Sequence, residues 1–551
     1  MAGAVLVFAA LYLFTVPEKT GDTPVYADDI LRHFQANGSG GDLWEFGHLL
    51  WRPLGYGLWR AAHPFLASRF DGNPILEITA VLFALNFLAG IALIPLGYFV
   101  CRRLDLRPAP AWAVTTGLVL SATVWNYVHS GASYNPGLAL NLAGQLLLLD
   151  SLRRGARWGW RAVCAGVLLA LSTAIWFPYI LSLPAAFLIG WFRPQPPPAR
   201  DRLRILAVAA AATAGAGLLV FAAGAWENGI SSLPLLHHWI SNSAHGVQQS
   251  RQFVRLPTGI TRSFLYLGDD GLLMKRFVFG DPYAPVRWYD LVTAGLWKVA
   301  LVFAMFAALT LALARRREAW GGLAVLVAGF LPTLLFALFL FETSEPARYE
   351  TLYPAFLFGV CAVLSLRPAE RVARSMLLVF LAATVVVNLY AFGWELKGAA
   401  ARSTARVHLI ESHLQHHGIA FLVSFRDPLS TYLQRDPFVP ENRQHALPFY
   451  HVIEPAAARV ETWRADAACR VLQAWHEGGE AWLSVRLLAA RPKPEWEWVE
   501  HDDNRVQWKD LPAFFQRWRT DETIGTTDGF ARVTEDSENR ALIEGDCPQR
   551  F

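Results

Sequence analysis

The chain has 551 residues, of which 54% are hydrophobic and only 17% charged, with 35 Phe and 22 Trp. Average soluble domains carry roughly 25% charge and seldom build one core beyond about 250–300 residues, so several domains or a membrane bundle is expected; a disordered chain, a coiled coil and an ordinary cytosolic enzyme are excluded. The formal net charge of +4 is too small to point to nucleic acid, and 5 Cys are too few for a disulfide scaffold.

Apolar runs fill residues 1–393, at 2–16, 75–100, 109–128, 137–151, 162–175, 177–192, 205–225, 291–314, 320–341, 351–366 and 375–393. A crossing helix needs roughly 20 residues. Several runs are shorter, and 162–192 reads as two short helices joined near Trp176-Phe177-Pro178 or as a re-entrant hairpin. The fold expected is an α-helical polytopic membrane bundle of about eleven transmembrane helices over 1–393. The first run lacks a basic leader and an A-x-A-like cleavage site, so it reads as a retained anchor.

Every second connection is basic: 101–108, 151–161, 193–204, 315–318 and 367–374. These belong on the cytoplasmic side. The alternate connections, 17–74, 129–136, 226–290 and 342–350, carry Asp and Glu at least as often as Lys and Arg and are expected outside, as is everything from residue 394 onward. Residues 394–551 lack a span-length apolar run and suit one small α/β domain. Two segments read as helix-Gly-strand units, 407–425 around Gly418 and 467–488 around Gly478, with the glycines as C-caps. Cys469 and Cys547 lie in this oxidising compartment as a candidate disulfide, whereas Cys101, Cys164 and Cys361 read as packing residues.

Three stretches carry candidate chemistry. In 20–38, Thr23 reads as a helix cap with Pro24 in the first turn; Asp22 stands just before the helix, and Tyr26, Asp29 and His33 follow on one face. A carboxylate at a helix N-terminus is held ionised by the peptide dipoles, the state a general base needs. In 44–60, His48, Trp51, Arg52 and Tyr56 suit an amphipathic interfacial helix or one wall of a lipid-phosphate site. In 345–354, Arg348 sits at the outer end of a span, where a cation needs a partner; phosphate fits its fork, and a salt bridge to Glu345 or Glu350 is the plainer alternative. The connection 226–290 is rich in His and Arg, including His237, His238, His245, Arg251, Arg255, Arg262, Lys275 and Arg276, and reads mainly as solvated surface. His413 and His417 are spaced i, i+4 without a supporting zinc motif, and no P-loop, G-x-S-x-G or dinucleotide fingerprint is present.

The run Asp22-x-x-x-Tyr26-Ala27-x-x-Ile30 and the segment Glu345-x-x-Arg348-Tyr349-x-x-x-x-Pro354 resemble the first-loop and late-span motifs of the GT-C superfamily of membrane glycosyltransferases. That superfamily includes protein O-mannosyltransferases and the transferase that puts aminoarabinose on lipid A. The many-span bundle with an outward C-terminal domain is similar as well. Thr23 replaces the acidic residue that often follows the first Asp, and Pro346-Ala347 separates Glu345 from Arg348. The resemblance implies an inverting glycosyltransferase that moves a sugar from a polyprenyl-phosphate donor to a hydroxyl on a glycolipid, glycan or protein. Asp22 is then the general base and Arg348 the partner of the leaving phosphate, with Tyr26, Asp29, His48, Arg52, Glu345 and Tyr349 contacting donor or acceptor. It implies a bacterial inner-membrane location, membrane lipids as surroundings, and no cofactor or metal. The alternatives are a flippase for lipid-linked sugars and a non-catalytic envelope scaffold. A flippase calls for ionisable residues near the midplane, which these spans almost lack.

Overall fold

The computed structural model describes residues 1–18, 22–36, 41–154, 159–193, 196–241, 253–280, 285–339, 345–365, 371–414, 417–424, 449–453, 462–489, 510–525 and 529–548. His245 and Arg251 lie outside them. The chain divides into two compact units, Met1–Leu267 with Trp297–Trp394, and Gly268–Leu296 with Glu395–Phe551.

The first unit is helical. It comprises α1 (Ala2–Phe14), α2 (Thr23–Gln35), α3 (Trp51–Leu66), α4 (Pro74–Arg103), α5 (Pro108–Val119), α6 (Ala122–Val128), α7 (Tyr134–Arg154), α8 (Gly159–Ile175), α9 (Leu183–Phe192) and α10 (Ala199–Glu227), followed by Leu233–Ser241, Leu256–Phe264, Trp297–Ala314, Trp320–Phe339, Tyr353–Ser365 and Arg371–Tyr390. Every apolar run read from the sequence is helical over most of its length. The run 109–128 is two helices, because Ser121 is extended and breaks it. The run 177–192 begins with a 3-10 turn, Phe177–Ser182, that carries Pro178.

Among the described residues, five helices are long and apolar enough to cross a membrane: Pro74–Arg103, Ala199–Glu227, Trp288–Ala314, Trp320–Phe339 and the one beginning at Arg371. Large apolar side chains stay exposed along them, such as Leu218 at 67% and Leu219 at 74% on α10. An apolar surface of that extent is stable only against lipid. The chain is an integral membrane protein.

Polar groups inside the bundle fix its irregular parts. The Asn388 side chain donates to the carbonyls of Leu120 at 2.7 Å and Phe264 at 2.8 Å and accepts from the Tyr266 amide at 2.8 Å. One buried amide thus satisfies two interrupted helices. The connection 129–133 is buried throughout, so its backbone needs partners away from water. Asn86 donates to the Ala132 carbonyl at 2.6 Å, Trp51 Nε1 donates to the Gly131 carbonyl at 2.9 Å, and the Gly131 amide donates to Thr23 Oγ1 at 2.7 Å.

The second unit contains a five-stranded sheet, β1 (Ile419–Ser424), β2 (Phe449–Ile453), β3 (Ala481–Ser484), β4 (Thr520–Ile524) and β5 (Phe530–Val533), in the order β2-β1-β3-β5-β4. The first three strands are parallel, and β5 joins antiparallel to β3 and β4. β1 is apolar on both faces. Ile419, Phe421 and Val423 pack with helix Trp463–His476, while Ala420 and Leu422 pack with Val407, Ile410 and Leu414 of helix Leu396–Leu414. Such a continuous apolar strand is what a parallel sheet covered on both sides requires. Cys469 and Cys547 are disulfide-bonded. Gly478 caps its helix with φ +79°, as expected. Gly418 does not: His417 takes the left-handed position at φ +58°, and Gly418 is small because a Cβ there would stand 2.7 Å from the His413 carbonyl.

Candidate active site

Asp22 precedes α2, whose first turn contains Pro24. The expectation that Thr23 caps this helix is corrected: Thr23 is its first residue, and its hydroxyl turns outward to hold the Gly131 amide. Asp22 occupies the cap position without a side-chain capping bond. Its carboxylate instead meets two phenols at Oδ2, with the hydroxyls of Tyr26 at 3.4 Å and Tyr134 at 3.3 Å donating. The rest of the inward face of α2 (Tyr26, Ala27, Asp29, Ile30 and Leu31) is buried against Trp51, Trp59, Ile78 and Leu82, which anchors the turn bearing Asp22.

Behind Tyr26 stands His48. Its Nε2 lies 3.1 Å from Tyr26 Oη, and its Nδ1 lies 2.9 Å from Ser133 Oγ and 3.4 Å from the Ile175 carbonyl. His48 belongs to the connection between α2 and α3, outside the spanning helices. Burial pushes its imidazole down from the ordinary 6.5 to about 3; Arg52 and Arg348 act in the same direction, and Asp22 and the Ile175 carbonyl oppose them. The ring is therefore neutral, with one donor and one acceptor nitrogen. Burial, aided by Asp22, likewise raises the Tyr26 phenol well above 10, so it stays protonated and able to donate.

Arg348 reaches the same place from the far end of the unit. It lies in a buried 3-10 turn, Pro346–Leu352, ahead of helix Tyr353–Ser365. Its guanidinium stands 6.0 Å from the Trp176 ring centre. Trp176 packs edge-on against Tyr134 at 4.7 Å, and Tyr134 against Tyr127 at 4.5 Å. Tyr127 donates to Glu345 Oε1 at 2.9 Å, and Glu345 also accepts from the Ala347 amide at 3.4 Å. Asp22 and Arg348 thus flank one aromatic wall, and both act electrostatically on His48. Tyr349 and Glu350 are fully buried in the same turn. The Tyr179 hydroxyl lies 3.1 Å from both the Tyr134 carbonyl and Glu350 Oε2.

Asp29 and Arg52 come together in a neighbouring cluster. Arg52 Nη2 is 2.9 Å from Asp29 Oδ2 and 2.9 Å from Glu45 Oε2, with the guanidinium 5.3 Å from the Tyr26 ring centre. Asp29 also pairs with Arg32. This arrangement makes Arg52 a brace between α2, α3 and the turn before α3. His33 packs edge-on against Tyr56 at 5.2 Å. In the connection 226–290, Arg262 pairs with Glu18 at 3.3 Å, while His237 and His238 are exposed.

The residues that sequence reasoning missed are Tyr127, Ser133, Tyr134, Trp176 and Tyr179. For Tyr127, Ser133 and Tyr134 a signal was available. The stretch 125–135 places Trp, Asn, Tyr, His, Ser and Tyr at the end of an apolar run where a short exposed turn would suffice, and every one of these residues is buried.

No protein-family model and no curated protein matches the chain. Solved structures similar to it include ArnT from Cupriavidus metallidurans bound to undecaprenyl phosphate, at a TM-score of 0.47 and 13% identity over 98% of this chain and 99% of that one. The apo state of the same protein gives 0.47 and 12% identity over the same shares. The Archaeoglobus fulgidus oligosaccharyltransferase in its apo form gives 0.45 and 11% identity over 98% of this chain and 74% of that one.

Proposed function

We propose that the chain is an inverting membrane glycosyltransferase that moves a sugar from a polyprenyl-phosphate donor to a hydroxyl acceptor at the outer face of the membrane. The observation that carries this reading is the convergence of Asp22 and Arg348 on the Tyr134–Trp176 wall. The motif resemblance of 22–30 and 345–354 gives the two side chains their roles. Asp22 takes the proton of the acceptor hydroxyl as its oxygen attacks the anomeric carbon. The bond from that carbon to the phosphate oxygen breaks, and the phosphate leaves from the opposite face with the bonding electrons. Arg348 offsets the charge gathering there. General-base assistance of this kind typically supplies about 10²–10⁴-fold. Tyr26 and Tyr134, donating to one carboxylate oxygen, favour the ionised form of the base.

The alternation of basic and acidic connections supports an outward site and an outward C-terminal domain, as in a bacterial inner membrane. A flippase or scaffold makes no use of a carboxylate held by two phenols opposite a guanidinium. In cells lacking the protein, mass spectrometry of surface glycans and glycolipids is expected to find one missing sugar. Wild-type protein restores it, and Asp22→Asn, expressed at the same level, does not. Full restoration by Asp22→Asn rejects the reading.

A further inference from the structure

We propose that His48 is a positioning residue whose neutral ring, held by Ser133, aims the Tyr26 hydroxyl at Asp22 and so sets the basicity of that carboxylate. The inference rests on the reading of Asp22 as the base and deepens it, because His48 then touches neither donor nor acceptor.

The geometry forms one line of hydrogen bonds: Ser133 Oγ to His48 Nδ1 at 2.9 Å, His48 Nε2 to Tyr26 Oη at 3.1 Å, and Tyr26 Oη to Asp22 Oδ2 at 3.4 Å. A phenol has one proton, so its direction depends on which ring nitrogen of His48 carries hydrogen. With hydrogen on Nε2, the imidazole donates to Tyr26, Tyr26 donates to Asp22, and Ser133 donates to Nδ1. With hydrogen on Nδ1, shared between Ser133 and the Ile175 carbonyl at 3.4 Å, Tyr26 turns its proton to Nε2 and Asp22 loses a donor. Charge decides between them. Asp22 as a carboxylate is the strongest acceptor within reach of Tyr26, and hydrogen bonds to an ionised acceptor are roughly twice as strong as neutral ones.

The surroundings prevent the line from being broken by protonation. Burial disfavours imidazolium most, Arg52 and Arg348 act the same way from two other elements, and Asp22 and the Ile175 carbonyl oppose them. Tyr26 is pinned between the His48 ring, edge-on at 5.2 Å, and the Arg52 guanidinium. Tyr134 supplies the second donor to Asp22 independently of this line.

The test uses purified full-length protein in lipid nanodiscs and needs no substrate. Nitrogen-15 NMR of labelled histidine, with the His48 signals assigned by their loss in His48→Gln, is expected to show the Nε2–H tautomer from pH 5 to 8. The Nδ1–H tautomer overturns the proposal. Infrared pH titration of the Asp22 carboxyl band, assigned by its loss in Asp22→Asn, reads the consequence. Tyr26→Phe and His48→Phe are expected to raise the Asp22 midpoint by about one pH unit. His48→Gln, which keeps an N–H donor toward Tyr26, is expected to bring the midpoint most of the way back to the wild-type value. A midpoint unmoved in folded Tyr26→Phe also overturns the proposal. If His48→Phe does not fold, the wild-type tautomer and Tyr26→Phe still decide. The glycan-restoration result for Asp22→Asn judges the parent reading separately, so either can fail alone.

Discussion

The Tyr134 hydroxyl donates to Asp22 at 3.3 Å, while the ring of the same residue packs on Trp176, whose ring centre is 6.0 Å from the Arg348 guanidinium. One tyrosine therefore links an acid from the first connection to a cation from the last connection before the final helices. The arrangement predicts that the two charges serve different parts of one substrate.

The proposed reaction gives Arg348 to the leaving phosphate. Arg348→Ala is expected to weaken binding of polyprenyl phosphate, used as the probe in nanodiscs, by about 10–100-fold, the worth of a charge-assisted hydrogen bond of about 1.5–3 kcal/mol. Arg348→Lys recovers part of this, since it keeps the charge and loses the planar fork. An unchanged Kd in Arg348→Ala removes the phosphate role.

Gly131 is the point where the connection 129–133 touches the turn bearing Asp22. A Cβ there would lie 2.6 Å from Thr23 Cγ2 and 2.8 Å from Leu82 Cβ. Gly131→Ala is expected to push the start of α2 away. The cost is about 1–3 kcal/mol of stability, as for other overpacked cores, and on the proposed function sugar restoration falls as well, because the displaced residue adjoins Asp22. Parallel thermal unfolding and restoration of the missing sugar check this; equal melting temperature with full restoration refutes it.

Arg52 balances two buried carboxylates, Asp29 and Glu45. Arg52→Met leaves both without that cation and is expected to cost about 3–5 kcal/mol. Chemical unfolding reads it. A variant of wild-type stability that loses polyprenyl phosphate binding would return Arg52 to the lipid-phosphate role considered from sequence.

The sequence announced the helices through long apolar runs and announced Asp22 and Arg348 through position, each at the edge of such a run. It also announced the disulfide and the Gly478 cap, because spacing and residue type carry them. It could not announce Tyr134 as the link between Asp22 and Arg348. That contact depends on how a buried, non-helical connection is folded back, and the fold-back is held by Asn86, Trp51 and Thr23, three residues distant in sequence. Thr23 reads as a cap for the same reason: a hydroxyl at a helix start has local partners by default, and only a tertiary neighbour diverts it. His417 displaced Gly418 from the left-handed position because the close approach of the His413 carbonyl, invisible in sequence, is what requires glycine there.

Glu350 yields a pH prediction whose sign can be worked out. It lies in the turn outside the spanning helices, fully buried, with Oε2 accepting from Tyr179 and Oε1 without a hydrogen-bond partner among the described residues. Burial raises its carboxyl from 4.5 to about 8; the Tyr179 bond opposes this and Glu345 adds to it. Between about 4.5 and 8 the folded protein keeps a proton that the unfolded chain has released. The group's contribution to stability is therefore fully present below 4.5, declines by about 1.4 kcal/mol per pH unit, and is lost as pH rises through about 8. Glu350→Gln has no such ionisation. The melting temperature of wild type minus that of Glu350→Gln is expected to fall steadily from pH 5 to pH 8 and to level off above. A difference that stays constant over that range would mean Glu350 is ionised at neutral pH, and the turn bearing Arg348 would then hold a second anion beside Glu345.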